Sequence, residues 1–340
     1  MLIGISPVRI SFAGGGTDMP EFYQKYGGNV VTSAISKFTY VIVQNRHDNS
    51  FQAFSPDFGI HHKTSEFNNI EHLTGTEIAT STIKYFKYNK GINLIIFSDV
   101  PGGSGLGASS SLMVNTVNML SKLTNKNFTN EKIAETAFNI SRQYLSWPVG
   151  KQDEYISSFG GLNFIEFKKE KIKVSPIKIK KKSVQELQDN LMLFFIGHTR
   201  DSSKILLNLI DRIKKNEPET MNSLHYVKNL AIDMKDSLQK SDLTQFGELL
   251  HNGWSMKKKF TKNVTNAHID KIYDLALKNG ALGGKLTGAG GGGHMLFYCE
   301  KHKQSNLEKK LKPLRLQRVK FSFYNDPPKI LEIPSLLNIK

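Results

Sequence analysis

The sequence predicts an α+β protein of two domains. Three observations lead there. Short β-branched and aromatic runs crowd the first hundred positions, amphipathic helical spacing dominates from Ser202 onward, and glycine-rich turns punctuate the chain. At 340 residues the chain exceeds one ordinary small domain, and 39% apolar residues with 21 Phe and 11 Tyr suffice for packed cores. The boundary is expected near 196–201, which gives an N-terminal unit 1–198 and a C-terminal unit 199–340.

The elements follow in order. Strands are expected over 29–35, 39–43 and 93–98, where β-branched and aromatic residues are enriched. After a glycine-rich turn at 102–107, Leu112, Val114, Val117, Leu120 and Leu123 stand at helical spacing. A second helix is expected from about Asn130 to Ser146, stopped by Pro148. Further strands are expected at 162–167 and 191–196. Amphipathic helices follow near 202–215, 219–240, 243–259 and 267–279. The stretch 280–293 holds eight glycines in fourteen residues and runs into an apolar strand at 294–299. A helix near 305–314 and a strand near 316–323 close the prediction.

Composition narrows the function classes. Forty-six Lys and Arg against thirty Asp and Glu leave a net charge of +16, a balance that suits nucleic acid, an anionic membrane surface or small phosphorylated ligands. The lysine runs at 168–169, 178–182, 257–259 and 309–312 lie beside turns or on polar helix faces without interleaved aromatics. They read as solvated surface, and no nucleic-acid motif accompanies them. No apolar stretch approaches the roughly 20 residues of a membrane span. The N-terminus lacks a basic head before a long apolar run, so no signal peptide and a cytoplasmic location are expected. The single cysteine, Cys299, excludes an internal disulfide and reads as a core residue. His61, His62 and His72 show no metal-ligand spacing.

The strongest local signal is Pro101, Gly102, Gly103, Ser104, Gly105, Leu106, Gly107, Ala108, Ser109 and Ser110, between an expected strand and an expected helix. Glycines let backbone N–H groups approach an anion, and the following helix N-terminus adds a favourable dipole. Ser109 and Ser110 stand where a hydroxyl can cap that helix or reach a phosphate-bound Mg²⁺. No lysine follows the last glycine, so this is neither a Walker loop nor the dinucleotide fingerprint. A second cluster, Gly14-Gly15-Gly16-Thr17-Asp18, follows Pro7–Phe12 and sets an arginine, Arg9, near a carboxylate. A third, Gly288-Ala289-Gly290 through Gly293, stands directly before a strand. Either of these two alone reads as a turn; three clusters in one chain point to a phosphate ligand.

These segments resemble the three motifs of the GHMP kinase superfamily, which includes galactokinase, homoserine kinase and mevalonate kinase. The motifs match as Pro7-x-Arg9 with Gly14–Asp18, Pro101–Ser110, and Lys285–Gly293, in the expected order. The wording at 12–18, 149–155 and 159–167 is most similar to the bacterial D-glycero-D-manno-heptose 7-phosphate kinases, and fucose kinases share part of it. The resemblance implies a two-domain fold, a left-handed β-α-β crossover in the N-terminal domain and an active site in the cleft between domains. It implies MgATP-dependent phosphorylation of the anomeric O1 of a heptose already phosphorylated at C7. Another acceptor, fucose-like or galactose-like, or a catalytically silent nucleotide- or sugar-binding homologue, stands as the alternative.

In that reading 101–110 wraps the triphosphate, Ser109 lies near the metal, Asp153 is the catalytic carboxylate and Arg9 the basic residue beside it. Gly15, Gly16, Thr17, Asp18, Gly288, Ala289 and Gly290 hold substrate. The implied partners are ATP and a phosphorylated sugar; nucleic acid and membrane are not expected, and no motif bears on oligomeric state. One departure stands out: Ser141 occupies the position where many members of the superfamily carry a metal-holding glutamate.

Overall fold

The computed structural model describes residues 1–65, 67, 70, 75–197 and 202–334. Strand β2 (Gly28–Asn45) is the spine of the first sheet. Its Val30, Val31, Val41 and Val43 turn buried β-branched side chains to the core, the fit of such residues to a pleated surface. Along one edge it pairs antiparallel with β1 (Leu2–Ala13); along the other, its two halves pair with β5 (Ile92–Ser98) and β6 (Leu162–Phe167). The sheet is completed by β3 (Phe51–Ser55), parallel to β5, and by β4 (Ile60–Thr64), β7 (Ile172–Pro176) and the late strand β12 (Lys329–Glu332). Strand β1 shifts register between Pro7 and Val8, where proline has no N–H to give the ladder. That bulge stands two residues before Arg9.

Helices α1 (Pro20–Tyr26), α2 (Glu77–Phe86), α3 (Ala108–Leu123), α4 (Asn130–Asn139) and α5 (Gln152–Phe159) belong to the same half. Helix α4 does not run straight to Pro148 but widens into a π-turn at Ile140–Tyr144. Val114, Val117 and Leu120 of α3 pack with Ile92, Leu94 and Ile96 of β5 in one buried cluster, which realises the helical spacing read from the sequence.

The second sheet is antiparallel, in the order β11-β8-β10-β9, from β11 (Gln317–Val319), β8 (Leu191–Phe195), β10 (His294–Cys299) and β9 (Ala281–Leu286). Helices α6 (Lys181–Asn190), α7 (Ser203–Lys214), α8 (Pro218–Lys240), α9 (Leu243–Lys257), α10 (Ala267–Lys278) and α11 (Lys301–Leu311) accompany it. The last expected strand shortens to β11, with an isolated bridge between Ile35 and Phe323.

The expected boundary at 198 lies outside the described residues, and sheet membership crosses it: β8 belongs to the second sheet, β12 to the first. The two halves also share a core. Val8, Ile10 and Phe12 of β1 pack with Leu230, Phe246 and Leu250 of α8 and α9, and Phe12 meets Phe246 edge-on at 5.4 Å. Such burial is worth roughly 1.5–3 kcal/mol per large apolar side chain. Cys299 is buried, as expected, and burial pushes its thiol up to about 11. Among the described residues no helix is long and apolar enough to cross a membrane.

Candidate active site

A single cavity gathers all three glycine segments. Its wall includes Arg9, Gly15, Gly16 and Asp18 from the first, Gly103–Gly105 and Gly107–Ser110 from the second, and Gly288–Gly290 from the third. The second and third loops meet in direct contact. Gly105 and Gly288 both have positive φ, and a Cβ on Gly288 would lie 2.6 Å from the Gly105 Cα, so no side chain fits between them. His294, at the start of β10, fastens the junction by donating from Nδ1 to the Ser104 carbonyl at 2.8 Å. Burial lowers its pKa, which keeps the ring neutral; the carbonyl can only accept, so Nδ1 carries the proton.

Arg9 and Asp153 form the centre. Arg9 is buried on β1, and its backbone N–H donates to the Leu106 carbonyl at 2.9 Å, which ties strand to loop. Its Nε donates to Asp153 Oδ1 at 2.7 Å, Nη2 donates to Oδ2, and Nη1 donates to the Gly105 carbonyl at 2.5 Å. Asp153 is the second residue of α5, where the helix dipole favours a carboxylate. A two-pronged charged pair of this kind fixes both side chains in one plane. Sequence proximity suggests an Arg9–Asp18 pair instead; the fold joins Arg9 to a residue 144 positions away.

Asp18 is buried beside them, accepting from the Gly16 N–H at 2.9 Å and the Gln152 N–H at 3.1 Å. Burial raises its pKa, the Asp153 charge adds to this, and the two backbone bonds oppose it. Gly150 has to be glycine: a Cβ there would lie 2.0 Å from Asp18 Oδ2.

Several sequence expectations land elsewhere. Thr17 does not line the cavity; its hydroxyl, buried, donates to the Gly14 carbonyl at 2.8 Å and accepts from the Asn29 N–H at 3.1 Å, so it frames its own loop. Pro101, Gly102 and Leu106 are also absent from the wall, and Leu106 is a core residue. Neither serine caps α3, whose N-cap is Gly107 without a side-chain bond. Ser110 donates instead to Glu154 Oε1 at 2.9 Å. Glu154 is fully buried with Oε2 unpartnered among the described residues, and burial raises its carboxyl to about 8.

Two side chains to which the sequence assigns no role of their own stand on the wall. Lys285, buried on β9, donates to the Phe12 carbonyl at 3.1 Å, and burial drops its pKa well below the usual lysine range. Lys257, the last residue of α9, donates to the Leu286 carbonyl at 3.3 Å and to the Gly288 carbonyl. It belongs to a lysine run read as solvated surface. The other runs are indeed exposed; this lysine turns inward.

The donors for a metal are sparse. Among the described residues no group of three His, Cys, Asp or Glu comes together. His61 and His62 lie on β4, and His72 lies outside the described residues. Asp153 gives both oxygens to Arg9, Glu154 is sealed under Ser110, and Ser141 is buried off the cavity wall. Ser109 alone presents an exposed hydroxyl at the head of α3. This set fits a Mg²⁺ carried in by a triphosphate, not one caged by protein.

Known proteins resemble this chain in sequence and fold. The family model for the GHMP kinases N terminal domain matches residues 76–161, and that for GHMP kinases C terminal matches residues 234–313. The chain is 34% identical over 324 residues to a D-glycero-alpha-D-manno-heptose 7-phosphate kinase of Campylobacter jejuni, covering 94% of this chain and 95% of that one. It is 27% identical to the L-fucokinase/L-fucose-1-P guanylyltransferase of Bacteroides fragilis, spanning 87% of this chain but only 34% of the longer protein. A solved structure of a D-glycero-D-manno-heptose 1-phosphate kinase from Bacteroides thetaiotaomicron superposes with a TM-score of 0.82 at 25% identity, covering 98% of this chain and 100% of that one. The chain belongs to the GHMP kinases, with their two-domain α+β fold, and is an ATP-dependent phosphotransferase.

Proposed function

We propose that the protein transfers the γ-phosphoryl group of ATP to the anomeric O1 hydroxyl of D-glycero-D-manno-heptose 7-phosphate, giving the 1,7-bisphosphate and ADP. The observation that carries this is the Arg9–Asp153 pair, held against the Gly105 carbonyl where the second and third glycine segments meet. The 34% identity to a heptose 7-phosphate kinase supports the choice of sugar, and the inward basic side chains Arg9, Lys257 and Lys285 suit two anionic substrates.

In this reading the second glycine segment holds the triphosphate in the cleft between an N-terminal domain, 1–198, and a C-terminal domain, 199–340. The parallel β3–β5 connection through α2 is the left-handed crossover. Asp18 and the backbone of Gly15 and Gly16 orient the sugar, and Gly288–Gly290 close the phosphate end. The O1 oxygen forms a bond to the γ-phosphorus as the bond from that phosphorus to the β–γ bridging oxygen breaks, and ADP leaves with the electron pair. The O1 proton passes to the Asp153 carboxylate, whose remaining lone pairs are free to accept it. Arg9 fixes that carboxylate and opposes the negative charge of the transferring group. When bound, Mg²⁺ neutralises phosphate charge, and Ser109 is the side chain placed to touch it.

The test is ADP release with D-glycero-D-manno-heptose 7-phosphate, the unphosphorylated heptose, fucose and galactose. The highest kcat/KM is expected for the heptose 7-phosphate. Preference for an unphosphorylated sugar would replace the acceptor. ATP binding without ADP release on any of them would mark a silent homologue.

A further inference from the structure

We propose that Lys257, a residue of none of the three glycine segments, is a cationic contact to the terminal phosphate of the bound nucleotide. The inference rests on the reading that ATP occupies the second glycine segment.

Four observations place it there. Lys257 lines the same cavity as Arg9, Asp153 and Ser109. Its ammonium donates to the Gly288 carbonyl, and Gly288 packs directly on Gly105, whose own carbonyl takes Nη1 of Arg9. Lys257 and Arg9 therefore each hold one carbonyl of the Gly105–Gly288 junction. That junction lies beside Asp153, on the third- and second-segment walls where the reacting end of a triphosphate has to come.

The second observation is charge. Arg9 has Asp153 as its carboxylate partner, whereas Lys257 has only neutral carbonyls and, among the described residues, no carboxylate within 4.0 Å. Third, an ammonium has three donors and the carbonyls of Leu286 and Gly288 take two, which leaves one for a ligand in the cavity. Fourth, the lysine ends α9, where the helix dipole favours a cation, and the helix is packed against β9 through its Gly247 carbonyl, 2.0 Å from where a Gly283 Cβ would stand. Removal from water lowers the Lys257 pKa to about 7, with the Arg9 charge adding to this and Asp153 and Asp18 opposing it. A phosphate beside it restores the full charge.

A contact to the terminal phosphate distinguishes ATP from ADP, which a structural lysine does not. The experiment is calorimetric titration of ATP and ADP, without sugar, into the wild type, K257M, K257R and K258M. Lys258 is the neighbouring control, paired with Asp270 at 3.5 Å and off the cavity wall. The expected result is that K257M weakens ATP about tenfold more than ADP, a difference of roughly 1.4 kcal/mol. K257R recovers part of the difference and K258M leaves both affinities unchanged. If K257M does not fold, K257Q carries the same comparison.

Equal loss of ATP and ADP affinity, or no loss, overturns the proposal. A shifted ATP-to-ADP ratio in a protein that phosphorylates none of the tested sugars supports Lys257 while refuting the acceptor assignment. An unshifted ratio in an active heptose kinase refutes Lys257 alone. A wild type that binds neither nucleotide overturns both.

Discussion

At the scale of single residues, two adjacent carboxylates are set to opposite tasks by where their side chains lie. Asp153 faces the cavity and meets a guanidinium in two bonds; Glu154 faces the interior and, among the side chains of the described residues, meets only the Ser110 hydroxyl. Burial raises the Glu154 carboxyl from 4.5 to about 8, with the Asp153 charge adding, so the acid is protonated in the folded protein at neutral pH. A folded-state pKa above the unfolded value stabilises the fold fully below pH 4.5, and that contribution is lost as pH rises through about 8. Glu154→Gln keeps the shape and removes the titration. The variant is expected to match the wild type near pH 5 and to exceed it at pH 9 by roughly 1 kcal/mol or more, at least about 1–2 °C in a chain of this size. Thermal melts at both pH values read this out, and equal melting offsets at pH 5 and pH 9 would mean that Glu154 is not the buried acid described here.

At the scale of elements, the second and third glycine loops are locked by contacts that leave no room for side chains. Gly288→Ala brings a Cβ to 2.6 Å from the Gly105 Cα at a positive φ, so the third loop has to draw back. The cost is about 1–3 kcal/mol of stability, with nucleotide affinity reduced at least tenfold. Denaturant unfolding and ATP titration check the two effects separately; an alanine variant with unchanged ATP affinity would show that the contact between loops does not shape the phosphate site.

The glycine loops were legible in the sequence because glycine at such density has a steric cause. Strands β5, β6, β8 and β10 were legible as β-branched and aromatic runs, β2 as two separate runs at 29–35 and 39–43 that the fold joins into one strand, and helices α7 to α10 by the helical period of their apolar residues. The elements that escaped break these patterns. Strand β1 carries Gly4, Ser6, Pro7, Arg9 and Ser11 among its apolar residues, and β9 hides inside a glycine run because Gly283 and Gly284 lie flat against neighbouring backbone. Helix α5 is only eight residues long and buries Glu154, Ser157 and Ser158, polar groups that mask its inner face. Lys257 was invisible among three consecutive lysines, because only the turn at the end of α9 selects which one points inward.

At the scale of the whole molecule, two sheets are joined by a common core around Phe12, Phe246 and Leu296, and the cavity opens where strands and loops from both halves converge. Arg9, Asp153, Lys257 and Lys285 come from β1, α5, α9 and β9, so no one half of the chain holds the site. The net charge of +16 is mostly on the exposed surface, while the basic side chains on the cavity wall are few and held by backbone carbonyls or by Asp153. The central claim is that Asp153 takes the proton from the attacking hydroxyl while the glycine loops hold the nucleotide. The most direct measurement is single-turnover phosphoryl transfer to saturating D-glycero-D-manno-heptose 7-phosphate by Asp153→Asn, beside ATP binding by calorimetry. The expected result is a fall of roughly 10²–10⁴ in the transfer rate, about 3–5 kcal/mol of barrier, with ATP affinity little changed. Transfer near the wild-type rate by the Asn variant would contradict the claim.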